Sequence, residues 1–180
     1  MSDDGATPRE LLLEACRRNN TELLSTTLTQ ISQTSATAPA EAIAHFLNTT
    51  TNSLGASPLH LAAEHGSYEI LDLILDQEGV EIDHREPREG DTALHKAVRY
   101  TNGLDKGEWE DGKAVVEILV DAGCDARLVN KAKLKPVALV DPRNGELRDV
   151  LRKAEFVAAS AGDVVVEDEE RRDGPGSESD

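Results

Sequence analysis

Apolar residues recur along the chain at helical spacing, in short segments interrupted by glycine, proline or asparagine. The first segment opens at Thr7-Pro8 and ends at Asn19-Asn20, and the next one carries Leu23, Leu24 and Leu28. Side chains three or four positions apart lie on one side of a helix, so these segments predict short amphipathic helices. Because such helices cannot bury an apolar face alone, we expect them to stack against one another.

Two copies of one short phrase stand near the middle of the chain. They are Ser57-Pro58-Leu59-His60 and Thr92-Ala93-Leu94-His95, with the histidines 35 residues apart and a glycine, Gly55 or Gly90, just before each copy. The hydroxyl residue is a favourable helix N-cap, and Pro58 suits the first helical position. Each phrase therefore predicts the start of a helix, and the spacing indicates an internal repeat.

The stretch from Gly55 to Asp83, GASPLHLAAEHGSYEILDLILDQEGVEID, resembles an ankyrin repeat almost position by position, and the stretch from Gly90 resembles a second one. The resemblance implies an all-α solenoid of about four helix-turn-helix repeats with projecting finger loops. It also implies that the two signature histidines are structural and bond to neighbouring backbone. The structural signature residues are Ser57, Pro58, Leu59, His60, Thr92, Leu94 and His95.

The same resemblance predicts the domain organisation. An ankyrin-repeat domain covers residues 1–157, with repeats at about 7–30, 54–86, 87–129 and 130–156 and an insertion at 31–53. His95 and Gly123 are 28 residues apart, about ten more than is usual in the family, so a loop insertion is expected at 101–110. The terminal repeats are degenerate, and Ala138 stands where the last one would carry its histidine. Residues 158–180 are expected to form a disordered acidic tail.

The charge of the chain is strongly negative. There are 35 acidic and 19 basic residues, which gives a net charge of −16, and residues 167–180 alone carry −5. Such a charge repels nucleic acid and anionic membrane surfaces and favours a basic protein partner. The acidic, polar N-terminus does not resemble a signal peptide, so a cytoplasmic or nuclear protein, monomeric in isolation, is expected.

Residues that could support catalysis or metal binding are sparse. Cys16 and Cys124 are the only cysteines, and neither has the spacing of a metal ligand. The sequence contains no Cys/His cluster and no glycine-rich phosphate loop. We therefore predict a non-enzymatic protein with no catalytic residue, no metal and no cofactor.

The ankyrin resemblance implies protein binding on the concave face that the fingers and the inner short helices form. A solenoid is a scaffold for many partners, so the fold alone does not name one. Trp109 admits two interpretations, a side chain folded over the end of its repeat or an exposed anchor for a partner. The candidate partner-binding residues are Glu64, His65, Arg85, Glu86, Arg88, Glu89, Asp91, Arg99, Tyr100, Trp109, Lys131 and Lys133.

Two finer functions are consistent with this sequence. In architecture the chain resembles small, free-standing fungal ankyrin proteins, among them the chaperone that escorts a ribosomal protein. One alternative is therefore a dedicated escort of a basic protein, ribosomal or histone. The other is a regulatory adaptor for a transcription, kinase or proteasome component. The charge of the partner distinguishes the two, because an escort of a basic chain would bind with a steep salt dependence.

Overall fold

The computed structural model describes residues 5–162. Nine α-helices and one 3₁₀ turn, Lys106–Glu108, make up its regular structure, and this part of the chain contains no strand. The helices are α1 (Pro8–Arg18), α2 (Thr21–Ser32), α3 (Pro39–Thr49), α4 (Pro58–Glu64), α5 (Tyr68–Leu75), α6 (Ala93–Asn102), α7 (Trp109–Asp121), α8 (Pro136–Leu139) and α9 (Gly145–Gly162).

Eight of the helices form two rows. The inner row is α1, α4, α6 and α8, each in contact with the next, and the outer row is α2, α5, α7 and α9. Each inner helix also contacts the outer helix that follows it, so the repeating unit is an antiparallel helix pair. The predicted all-α solenoid of stacked helix pairs is confirmed.

The inner helices α1, α4 and α6 begin with a reciprocal cap, whereas α8 follows Lys135 and has no side-chain cap. The side chains of Ser57 and Thr92 accept the backbone N–H of the third helical residue, a histidine whose ring accepts the cap residue's own N–H. The first repeat, which was expected to lack this phrase, begins in the same way at Thr7, with Glu10 in the place of the histidine. The terminal repeat thus keeps the geometry of the phrase with a different residue.

The core lies between the two rows. Leu59, Leu94 and Leu119 are almost fully buried, whereas Leu73 is only partly buried. Ala62 and Ala97 have no exposed surface, and their small side chains let α4 and α6 approach closely. Because no helix could bury this surface alone, the stability of the solenoid depends on contacts between neighbouring repeats.

The first insertion, 31–53, contains α3. This helix contacts α2, and its Asn48 side chain bridges to the chain after α5. The amide donates to the Gly79 carbonyl at 2.8 Å, and the side-chain oxygen accepts the Glu81 N–H at 2.8 Å. The insertion is therefore an added helix that packs against α2 of the first repeat and is tied by Asn48 to the segment after α5.

The loop expected at 101–110 is wrong in its bounds. Helix α6 continues to Asn102 and α7 begins at Trp109, so only residues 103–108 connect them. Thr101 is buried, and its hydroxyl donates to the Ala97 carbonyl at 2.8 Å. A Cβ on Gly112 would lie 2.5 Å from the Thr101 hydroxyl oxygen, so α7 needs a glycine there. The extra residues lengthen both helices because helix propagation satisfies each added backbone group.

The boundary predicted at residue 158 is also wrong, since α9 extends to Gly162. Alanines at 158, 159 and 161 favour helix, and the Ser160 hydroxyl donates to the Phe156 carbonyl at 2.9 Å. The remainder of the predicted tail, 163–180, lies outside the described residues.

Candidate protein-binding face

Three fingers precede the inner helices α4, α6 and α8, in that order: finger 1 (50–56), finger 2 (84–91) and finger 3 (127–134). Each is a turn built around one polar side chain. Asn52 accepts two backbone N–H groups in finger 1, both at 2.9 Å, and Asn130 accepts two in finger 3, at 3.0 and 3.1 Å. These internal bonds fix the finger backbone without help from a partner.

Glu86 is the equivalent residue of finger 2. Its carboxylate accepts the backbone N–H groups of Arg88 at 2.7 Å, Glu89 at 2.6 Å and Asp91 at 3.2 Å. Burial acts to raise the pKa of Glu86, but these three donors hold it below its ordinary value. The expectation that Glu86 binds a partner is wrong, because the side chain is only 3% exposed and its oxygens already have donors.

Asp91 is also misassigned as a partner-binding residue. It is fully buried, and one carboxylate oxygen accepts from Arg99 Nε at 2.7 Å while the other accepts from Asn130 Nδ2 at 2.9 Å. Although burial opposes ionisation, these two donors lower the pKa of Asp91. The carboxylate therefore joins helix α6 to fingers 2 and 3.

The signature histidines fasten each finger to the inner helix before it. His60 Nδ1 accepts the Ser57 N–H at 3.3 Å, and Nε2 donates to the Asp91 carbonyl at 2.9 Å. His95 bonds in the same way to the N–H of Thr92 and to the carbonyl of Leu134, at the end of finger 3. Burial lowers the pKa of His60 to about 4 and also lowers that of His95, so both rings are neutral at pH 7.

Adjacent fingers stack through their glycines. A Cβ on Gly55 would lie 2.6 Å from the Pro87 ring, and one on Gly90 would lie 3.0 Å from the Lys131 backbone nitrogen. The Lys131 N–H also donates to the Glu89 carbonyl at 2.8 Å. Side chains at these two positions would push the fingers apart, so glycine is required by close approach as well as by its positive φ.

The other predicted partner-binding residues divide between the two ends of the inner helices. At the fingers, Arg85, Arg88, Glu89, Lys131 and Lys133 are exposed. At the far end of α4 and α6, Glu64 and His65 are exposed and Tyr100 is half-buried against Gly66. Arg99 is partly exposed and reaches back to finger 2, where it pairs with Glu89 at 3.4 Å. The surface is therefore continuous from the fingers along α6.

Trp109 does not belong to this face. It begins α7 at the edge of the solenoid opposite the fingers, and the length of α6, about 15 Å, separates the two edges. The ring is half-buried, and the Arg143 guanidinium lies 5.9 Å from its centre. The first interpretation, a side chain folded over the end of its repeat, fits this position.

The cysteines and the possible metal ligands of the described residues are relevant to chemistry apart from binding. Burial raises the pKa of the Cys16 and Cys124 thiols to about 12, which leaves almost no reactive thiolate. Within residues 5–162 no group of three or more His, Cys, Asp or Glu side chains is placed to hold a metal ion. Among the helices described here, none combines the length and apolarity that crossing a membrane requires.

Comparison with known proteins agrees with the fold. The family model described as ankyrin repeats in three copies matches residues 12–130. The ankyrin repeat-containing protein YGL242C of Saccharomyces cerevisiae is 39% identical over 180 aligned positions, which cover 97% of this chain and 94% of that protein. With its stacked helix pairs and histidine-fastened fingers, the chain belongs to the ankyrin-repeat family.

Proposed function

We propose that the chain binds another protein on the face formed by fingers 2 and 3 and the exposed sides of α4 and α6. The observation that carries this proposal is the network of buried hydrogen bonds beneath the fingers. His60 and Glu86 hold backbone groups in place, Asp91 holds the side chain of Asn130, and exposed charged side chains lie on top of this network. A surface ordered before binding loses less conformational entropy when a partner docks.

The dimensions of this face suit one short element of the partner. Fingers 2 and 3 and the short inner helices α4 and α6 provide a narrow surface, and α8 has only four residues. A helix or an extended segment fits such a surface better than a whole domain would. The escort and adaptor alternatives differ in the charge of that element. An escort would bind a basic protein, which the net charge of −16 on this chain favours, whereas an adaptor's partner need not be basic.

Site-specific photo-cross-linking tests the proposal. Benzoylphenylalanine replaces Glu64 on α4 or Arg88 on finger 2, and the control positions are Asp72 on α5 and Arg152 on α9. All four side chains are exposed, so the replacements should leave the fold intact.

The expected result is a covalent adduct with the same partner from positions 64 and 88 and none from positions 72 and 152. Equal cross-linking yields from positions 64 and 88 and from positions 72 and 152 would contradict the proposed face. Adducts from the outer row alone would move the binding surface to the convex side.

A further inference from the structure

The groove between fingers 2 and 3 is basic, although the protein as a whole is strongly acidic. It is an open groove of about 420 Å³, lined by Arg85, Glu86, Pro87, Gly90, Val129, Asn130, Lys131 and Lys133, so three of its side chains are basic and one is acidic. Arg88 is exposed on finger 2 beside the groove. Four cationic side chains thus project from two adjacent fingers.

These cations are not neutralised within the solenoid. Among residues 5–162, no carboxylate lies within 4.0 Å of Arg85, Arg88, Lys131 or Lys133, whereas several other basic side chains have such partners. The Lys131 ammonium donates to the carbonyl of Pro87, which orients the ammonium but leaves its charge uncompensated.

The acidic residues of finger 2 are already engaged elsewhere. The Glu86 carboxylate accepts three backbone N–H groups. Asp91 is held by Arg99 and Asn130, and Glu89 pairs with Arg99 on the α6 side of the finger. The positive charge of the groove is therefore a consequence of how the fold uses its carboxylates.

The floor of the groove is rigid. The Lys131 N–H bonds to the Glu89 carbonyl at 2.8 Å, and the close approach at Gly90 fixes the separation of the two fingers. Lys133 is held at a φ of 62° by the turn around Asn130, where its own N–H donates to the Asn130 carbonyl at 3.0 Å. The backbone positions that carry the four cations are thus fixed relative to one another, and their exposed side chains can reach carboxylates on a short extended segment.

We propose that this groove binds an acidic segment of the partner protein, whose Asp and Glu carboxylates pair with Arg85, Arg88, Lys131 and Lys133. The inference rests on the proposed protein-binding function and names the chemistry of the partner at the fingers. Pro87 and Val129 add apolar contacts for the segment's backbone and aliphatic side chains. At physiological salt the Debye length is about 8 Å, so the groove's own charges outweigh the net charge of the distant surface.

Fluorescence anisotropy with the full chain provides the test. The probes are fluorescein-labelled hexaglutamate, hexalysine and hexauridylate, measured at low and at physiological salt. The groove variant is Arg88→Glu/Lys133→Glu, and the matched control is Arg152→Glu/Lys153→Glu on α9, which changes the net charge by the same amount at exposed sites. Thermal melts of both variants verify that they fold.

We expect hexaglutamate to bind more tightly than hexalysine, the groove variant to weaken its binding at least tenfold, and the control to weaken it less than twofold. Equal losses in both variants, or tighter binding of hexalysine, would overturn the inference. Tighter binding of hexauridylate that the groove variant abolishes would assign the groove to nucleic acid and equally overturn it.

Deleting residues 163–180 identifies the source of the acidic segment. An unchanged affinity for hexaglutamate supports a partner protein as the occupant. A tenfold gain would show that the chain's own acidic tail competes for the groove, and would overturn the assignment to a partner. If hexaglutamate fails to bind while positions 64 and 88 still cross-link a protein, the acidic-segment inference falls and the proposed function stands.

Discussion

The middle repeats begin their inner helices with a capping hydroxyl and a histidine, whereas the last repeat has Lys135 and Ala138 at those two positions. His60 and His95 each donate to a carbonyl at the end of the following finger, 31 and 39 residues further along. Ala138 occupies the equivalent position in α8 and is exposed. Within residues 5–162 no finger follows α8, so a histidine there would have no carbonyl to hold.

The finger glycines show the same contrast. Gly55 and Gly90 each face the next finger so closely that a side chain would clash, and both have positive φ. Lys133 keeps the positive φ of the third finger, but its outer side is free of a following finger, so a side chain is sterically possible. The two substitutions teach one lesson: the signature residues of this solenoid hold the next repeat, and they are dispensable where the stack ends.

Core leucines should show the largest difference between the two regions. Leu94→Ala removes a side chain that is only 1% exposed and should lower the free energy of unfolding by about 2–5 kcal/mol. The equivalent change in the last repeat, Val137→Ala, affects a partly buried side chain and should cost about 1 kcal/mol. Urea denaturation measures both. Equal costs would show that the last repeat packs as tightly as the middle ones.

The dependence of stability on pH should come from the middle repeats. The folded protein holds the pKa of His60 at about 4, whereas the unfolded chain has an ordinary value near 6.5. Between these values the unfolded chain binds more protons, so the free energy of unfolding should fall by about 3 kcal/mol as the pH is lowered from 6.5 to 4. His60→Gln should remove most of that slope. His45→Gln, at an exposed site on α3, should retain it.

The signature histidine can be removed from a middle repeat and, in a separate variant, introduced into the last repeat. His95→Ala leaves the Leu134 carbonyl and the Thr92 N–H without a partner and should cost about 2–4 kcal/mol. Ala138→His introduces a ring on an exposed position and should change stability by less than about 0.5 kcal/mol. A large gain from Ala138→His in thermal melts would mean that the last repeat does contain an acceptor for the ring.

Substitutions at Gly90 and at Lys133, the equivalent position in finger 3, should change the free energy of unfolding by smaller amounts and in opposite directions. Gly90→Ala forces a side chain into a left-handed φ against the next finger and should cost about 1–3 kcal/mol. Lys133 has a left-handed φ, which is unfavourable for a residue with a Cβ. Lys133→Gly removes that cost and should raise the free energy of unfolding by about 0.5–1 kcal/mol. Chemical denaturation of the two variants is sufficient, and destabilisation by Lys133→Gly would refute the contrast.

Local rules were enough to predict the helices of the middle repeats. The caps at Ser57 and Thr92 and the glycine at 66 depend on neighbouring residues only, and the structure begins and ends its helices close to those signals. The structure places helix α3 within the insertion predicted at 31–53. The loop at 101–110 was misjudged because the extra residues continue two helices, and spacing alone cannot show where extra residues fold.

The roles of Glu86 and Asp91 could not be predicted from the local sequence. Both are charged residues in a turn, which usually indicates a solvated surface. Their burial depends on contacts with residues far along the chain, such as the bond from Asn130 to Asp91 across 39 residues. The missed signal was the recurrence of a polar acceptor before each inner helix, at Asn52, Glu86 and Asn130.

Amide hydrogen exchange of His95→Ala tests most directly the claim that each histidine holds the next finger. We expect faster exchange in finger 3, at the Leu134 N–H bonded to Asn130 and at the Lys131 N–H bonded to Glu89. The N–H groups bonded to Glu86 in finger 2 should keep their protection. Protection lost equally along the whole chain, or retained throughout finger 3, would contradict that claim.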